Sequence, residues 1–210
     1  MQTGFLLLET MRLEDGSVAR LDRHLARMGA SAAHFRFAWD ETLARTAIED
    51  ERLSHEAGCW RLRLLLDREG IATTTCTPHE ETDPRTWQVA LAVSPVDSAN
   101  PLLRHKTTSR AIYESARAAR SDVDDVVLWN EREEVTEATI ANVVAEIGGV
   151  RVTPPVTCGL LPGVYRAELL ESGTIRERVI TKEDVSKASR MWLVNSLRGW
   201  IDVQLVGGSW

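Results

Sequence analysis

The run Arg104-His105-Lys106-Thr107-Thr108-Ser109-Arg110 holds one of only three lysines in a chain with 22 arginines; the others are Lys182 and Lys187. Arginine supplies nearly all of the ordinary cationic work. A position that keeps lysine therefore points to an amine that can lose its proton and attack a carbonyl, which a guanidinium does not do. Lys106 is a candidate Schiff-base nucleophile. The run also stands at a junction. The preceding Ser94-Pro95-Val96-Asp97-Ser98-Ala99-Asn100-Pro101-Leu102 has two prolines and polar turn formers, and reads as a linker. It divides the chain into an expected first domain, 1–96, and an expected second domain, 97–210.

Ahead of the junction, residues 5–13 read as a strand, Asp15-Gly16 as its turn and 17–21 as the return strand of a hairpin. Asp22 is placed to cap a helix in which Leu21, Leu25, Met28 and Ala32 recur at helical spacing to about residue 35. Asp40 is placed to cap a second helix to about residue 55, and strands follow at 60–67, 71–77 and 86–94. The first half is thus α+β. Beyond the junction come a helix (109–120), strands (125–129 and 141–147), a helix (163–172), a strand (175–180), a short helix (181–188) and a strand (191–194). That order predicts a mixed α/β domain.

Composition narrows the function. A chain of 210 residues, 43% of them hydrophobic, can bury a substantial core. A net charge of −6 argues against nucleic acid or an anionic membrane as the main partner and leaves small anionic substrates open. Cys59, Cys76 and Cys158 form no Cys-x-x-Cys pair, so a disulfide framework is not expected and a reducing cytosol fits. The five histidines make no His-x-x-x-His pair, and no metal site is predicted. The first residues carry a four-residue apolar run without a basic leader, and no stretch approaches bilayer length. The expectation is a soluble, cytoplasmic protein.

Lys106 belongs to an ordered set with Val135-Thr136-Glu137 through Asn142, Leu161-Pro162-Gly163-Val164-Tyr165-Arg166 and Asn195-Ser196-Leu197-Arg198. Pyridoxal 5'-phosphate needs an amine for its aldehyde, a carboxylate for its ring nitrogen and a nest of donors for its phosphate. Glu137 follows a turn-rich acidic segment and precedes an apolar strand, so its carboxylate can enter a pocket. The Pro-Gly segment reads as a loop entering a helix, whose first amides and dipole favour an anion. Ser196 can add a hydroxyl to that phosphate, and Arg27 a charge-assisted contact.

The arrangement resembles the class IV, fold-type IV pyridoxal-phosphate enzymes, which include branched-chain and D-amino acid aminotransferases and 4-amino-4-deoxychorismate lyases. Glu9-Thr10-Met11-Arg12, His24-Leu25-Ala26-Arg27, His105-Lys106, Thr136-Glu137 through Asn142, Leu161-Pro162-Gly163 through Arg166 and Asn195-Ser196 carry the resemblance. It implies two domains, a small N-terminal α+β domain and a C-terminal mixed α/β pseudo-barrel.

It further implies that Lys106 bears the cofactor, Glu137 faces the pyridine nitrogen, and Arg27, Val164, Tyr165 and Ser196 contact the phosphate. Asn142 is expected to shape the cofactor loop. Members usually place a tyrosine soon after the lysine; here the nearest is Tyr113, seven residues on. Members also commonly open with an extra strand pair, so the first domain is expected to be trimmed. Within the family, Asn195-Ser196-Leu197-Arg198-Gly199-Trp200 and Thr153-Pro154-Pro155 look closer to the lyases, which release pyruvate and 4-aminobenzoate, a folate precursor. Lys106 is then the base, Thr10 the candidate acid for the leaving group, and Arg198, Arg12 and Arg104 the candidates for the substrate carboxylates. An aminotransferase acting on branched-chain or D-amino acids and a non-catalytic relative that keeps the fold are the other readings. A homodimer is the expected assembly.

Overall fold

The computed structural model describes residues 4–80 and 85–207. Its contacts divide the chain into two compact units. The first comprises Met1–Thr82 and His105–Ser109, and the second Asp83–Arg104 and Arg110–Trp210. This differs from the expected division at residue 96, and pairing is the reason. The strand read at 86–94 finds its partners in the second unit's sheet, and the lysine run returns to the first unit's sheet.

In the first unit, β1 (Leu7–Glu14), β2 (Ser17–Val18), β3 (Cys59–Leu66) and β4 (Ala72–Pro78) make an antiparallel sheet in the order β2-β1-β3-β4. Helices α1 (Leu21–Phe35) and α2 (Glu41–Ser54) belong to the same unit. Alternation on β1 sends Leu7, Met11 and Leu13 to one face, where they meet Leu62, Leu64 and Leu66 of β3 and Leu25, Met28, Ala32, Ala44 and Ile48 of the helices. Asp40 caps α2 as expected, accepting from the amides of Thr42 and Leu43 at 2.8 and 3.3 Å. Asp22 does not cap α1. Arg20, in the left-handed conformation, precedes the helix, and Asp22 lies in its first turn with its carboxylate on Arg45.

The second unit is built on β5 (Trp87–Leu91), β6 (Asp125–Trp129), β7 (Val135–Ala138), β8 (Asn142–Ile147), β9 (Val150–Thr153), β10 (Arg176–Glu177), β11 (Arg190–Asn195) and β12 (Gly199–Leu205). Six of these follow one another as β8-β11-β12-β5-β6-β7, and pairing of β7 with β8 closes them into a barrel. The interior is filled by Val89, Leu91, Val127, Val135, Val143, Ala145, Leu193, Ile201 and Val203. Helix α3 (Ala111–Ala119) packs outside on β5 and β6, and α4 (Val164–Glu171) outside on β8 and β11. A fifth helix, α5 (Lys182–Ser186), starts with a capping box at Thr181 and Asp184.

Strands β7, β9 and β12 were not among the elements expected from sequence. Both β7 and β9 are four residues long, and β7 has its two polar residues side by side, too short a run for periodicity to speak. The β8–β9 turn was nonetheless written in Gly148-Gly149, whose positive φ values of 61° and 76° suit a two-residue hairpin loop. The expected strand at 175–180 shrinks to β10, a two-residue parallel pairing with β9.

Candidate active site

In the first unit, the alternation that buries Leu7 and Met11 also buries Glu9 between them, 1% exposed on the helix-covered face. Helix α1 supplies its partners. His24 Nδ1 lies 2.7 Å from one carboxylate oxygen, and Arg27 donates from Nε and Nη2 at 2.8 and 2.6 Å. An ionised carboxylate only accepts, so His24 Nδ1 carries the hydrogen. Burial pushes the Glu9 carboxyl up, but the Arg27 charge and the hydrogen bonds from His24 and Arg27 outweigh it and hold the group at about 2. His24 is held below the usual imidazole range by burial, with the charges of Arg27 and Lys106 acting against the pull of Glu9. His24 thus lies in the field of both Arg27 and Lys106.

Lys106 is half-buried, with its backbone fixed on β1: its carbonyl accepts from the Leu8 amide at 3.0 Å, and Leu7 bridges Thr107. That antiparallel register pairs Leu8 with Lys106, so Lys106 shares the sheet face of Leu8 and Thr10. Next to it His105 stacks on His34 of α1 at 4.3 Å and meets Ser31 Oγ at 2.9 Å. Arg12 is on the same face, but two of its guanidinium nitrogens hold Glu14 at 2.8 and 2.9 Å.

In the second unit, Glu137 on β7 is 4% exposed and stands opposite Asn142 on β8. Tyr113 of α3 donates its hydroxyl to Glu137 Oε1 at 2.9 Å. Burial, then the Glu137 charge and this bond, push the Tyr113 hydroxyl far above the usual phenol range, so it stays protonated. Asn142 donates to the Leu161 carbonyl at 2.9 Å, and a Cβ on Gly163 would run into Asn142 Oδ1. A side chain there would have to displace Asn142. No side chain caps α4 at Gly163, and Val164 and Tyr165 begin the helix, so this end of α4 offers amides to an anion. Thr136 Oγ1, beside Glu137, is buried with no hydrogen-bond partner.

Ser196 is buried in the loop after β11, and the preceding Asn195 accepts from the Leu197 and Arg198 amides at 3.1 and 2.8 Å. The half-buried Arg198 places its guanidinium 5.9 Å from the centre of the Trp87 ring. Arg104 is exposed and reaches the Ser98 carbonyl at 3.4 Å. Among the expected arginines, Arg198 is the one the second unit holds in a packed setting. Sequence reading missed the bond from Tyr113 to Glu137 and the pairing of Glu9. The second was legible: an acid in the alternation Leu7-x-Glu9-x-Met11-x-Leu13 occupies a core position and needs a cation.

The family model described as amino-transferase class IV matches residues 6–206. The chain belongs to that family. This class IV chain is 34% identical over 205 residues to a Schizosaccharomyces pombe protein named "Putative aminodeoxychorismate lyase", a match covering 91% of the chain and 86% of the relative. A Mesorhizobium loti structure described as a "Putative amino-acid aminotransferase" superposes with a TM-score of 0.90 at 44% identity, covering 96% of this chain and all of that one. A "hypothetical aminotransferase" from Mycobacterium tuberculosis, solved in a PLP-bound form, has a TM-score of 0.81 at 22% identity and covers 96% and 81% of the two chains. At that identity the likeness concerns the fold alone. The fold agrees with the two-part class IV expectation, barrel included.

Proposed function

We propose that this class IV chain is a pyridoxal-phosphate-dependent lyase that converts 4-amino-4-deoxychorismate to 4-aminobenzoate and pyruvate. The observation that carries this reading is the near full-length identity to the S. pombe relative of that name. The donor set fits the cofactor. Lys106 is the amine for its aldehyde, Glu137 the buried carboxylate for its ring nitrogen, and Arg27, Ser196 and the Val164 and Tyr165 amides the partners of its phosphate. The uncapped α4 end, with Gly163 packed closely on Asn142, is what a bound phosphopyridine leaves a place for. Asn142 shapes that cradle through Leu161 and Gly163. When bound, the cofactor supplies an electron sink that stabilises negative charge next to the substrate's amino-bearing carbon.

The chain's own residues do the rest. The Lys106 amine, released to its neutral form, takes the proton from substrate C4. The enolpyruvyl ether bond at the neighbouring carbon breaks, the ring becomes aromatic, and the Thr10 hydroxyl, on the Lys106 face of the sheet, protonates the departing group. Arg198 holds a substrate carboxylate, with Arg12 and Arg104 in outer roles. The protein acts as a cytoplasmic homodimer. Among the described residues no helix is long and apolar enough to cross a membrane.

The M. loti neighbour favours a second reading, an amino-acid aminotransferase that uses the same lysine. One assay separates them. Purified protein is expected to form 4-aminobenzoate and pyruvate with no keto acid present. Turnover of branched-chain or D-amino acids only with an added acceptor would instead establish the transferase. Lys106→Ala is expected to lower either activity at least 1000-fold and to abolish borohydride fixation of the cofactor. A colourless wild type with no fixed adduct would leave the non-catalytic reading.

A further inference from the structure

Two acids of helix α2 pair with arginines of the same helix, Glu41 with Arg45 and Glu49 with Arg52. Glu51 is different. It is half-buried, and its partner is His55, one turn on, whose Nδ1 lies 3.4 Å from the Glu51 carboxylate and 2.8 Å from the Glu51 carbonyl oxygen. Register places Cys76 of β4 opposite Leu62, on the sheet face that the helices cover, which brings its thiol to the last turn of α2 beside Glu51 and His55. One carboxylate oxygen, one imidazole nitrogen and one sulfur then lie within 4.8 Å of one another. No arginine or lysine pairs with Glu51 among the described residues.

Carboxylate, imidazole and thiolate are the donor types that Zn²⁺ takes. Around a tetrahedral ion they stand about 3.5 Å apart, so closing the observed cluster needs side-chain adjustments of about 1 Å. We propose that Glu51, His55 and Cys76 form a three-ligand site for Zn²⁺ or a similar borderline divalent cation, with water in the fourth position. On binding, the S–H bond of Cys76 breaks, its proton leaves to solvent and a metal–sulfur bond forms. A thiolate, a carboxylate and a neutral imidazole then balance the two charges of the ion.

The cluster lies at the β4 edge, two strands from β1, where Lys106 is paired. Its role is therefore to tie the end of α2 to the edge strand and not to take part in the lysine chemistry. The pattern escapes a search for His-x-x-x-His because one ligand sits 21 residues away on a strand.

The test uses the full chain with its cofactor, freed of metal by a chelator, in calorimetric titrations and thermal melts. The wild type is expected to bind one ZnCl₂ per chain and to melt higher with it, and to do neither with MgCl₂. Cys76→Ala and His55→Gln are each expected to weaken Zn²⁺ binding more than about 100-fold, beyond the loss typical of an outer-shell partner. Because Cys76 touches the core, His55→Gln, which gives up a ring contact with Trp60 but no core side chain, serves as the second variant. With CoCl₂, a thiolate-to-cobalt band is expected in the wild type and not in Cys76→Ala. Absence of wild-type binding, equal Zn²⁺ affinity in both variants, or an equal response to MgCl₂ would overturn the proposal.

Discussion

At the scale of a residue, Glu9 is a carboxylate almost wholly withdrawn from water. A buried carboxylate stripped of one partner leaves the other charge uncompensated, at a cost of about 3–5 kcal/mol. Its folded pKa of about 2, against 4.5 in the open chain, amounts to about 3 kcal/mol of stability. The sign is that of a depressed acid. The contribution is complete above 4.5 and is lost as pH falls through that value toward 2. His24 acts the same way, because the unfolded chain takes up its proton at a higher pH than the folded one. Denaturant melts from pH 7 to pH 2 should show Glu9→Gln less stable than wild type at neutrality, with the gap narrowing by about 3 kcal/mol in acid. A gap that stays constant with pH would show that the Arg27–Glu9 pair does not carry the effect. Glu9 was legible from its place in the alternation of β1, and the limit of sequence reading lies elsewhere. Lys106 stood out by rarity and Glu137 by its position in an ordered set, whereas Tyr113 gave no local signal, since its contact with Glu137 spans 24 residues.

At the scale of an element, two helix starts separate structure from function. Asp40 caps α2 and was legible because an acid before a periodic apolar run has a single local explanation. Its replacement by Ala is expected to cost about 1 kcal/mol and to leave cofactor binding unchanged. At α4, no side chain caps the helix and Gly163 abuts Asn142. Its φ of −64° is open to any residue, so the constraint is steric. Gly163→Ala should push the Asn142 amide off the Leu161 carbonyl, lower stability by about 1–3 kcal/mol and weaken pyridoxal-phosphate binding at least tenfold. Equilibrium titration of both variants decides the point: equal affinity would remove α4 from the phosphate site. Amphipathic helices and long alternating strands were readable in this chain. Short strands such as β7 and β9 were not, because their partners, and not their own periodicity, make them strands.

At the scale of the whole molecule, the lysine run is stitched into one unit by a chain that belongs to the other on both sides. Hydrogen bonds from Leu8 to Lys106, from Thr108 to Leu6 and from Leu6 to the Thr108 hydroxyl hold residues 105–109 to β1, and His105 adds its stack on His34 and its bond to Ser31 of α1. At about 1 kcal/mol each, the bonds to β1 total about 3 kcal/mol. If the second unit loses order, keeping the segment on β1 means closing a flexible loop of about 25 residues, which costs about 3 kcal/mol. The bonds to β1 and the loop term are of similar size, so the pairing of Lys106 with β1 is expected to loosen when the barrel does. The prediction concerns Leu193, fully buried on β11 between Val143 of β8 and Ile201 of β12. Leu193→Ala should destabilise the barrel by about 2–5 kcal/mol. Hydrogen exchange should then show the Leu8 and Thr108 amides losing protection together with those of β8 and β11, although they belong to the other unit, while the β1–β3 amides keep theirs. Unchanged protection at Leu8 and Thr108 would mean that the first unit holds its lysine without help from the second.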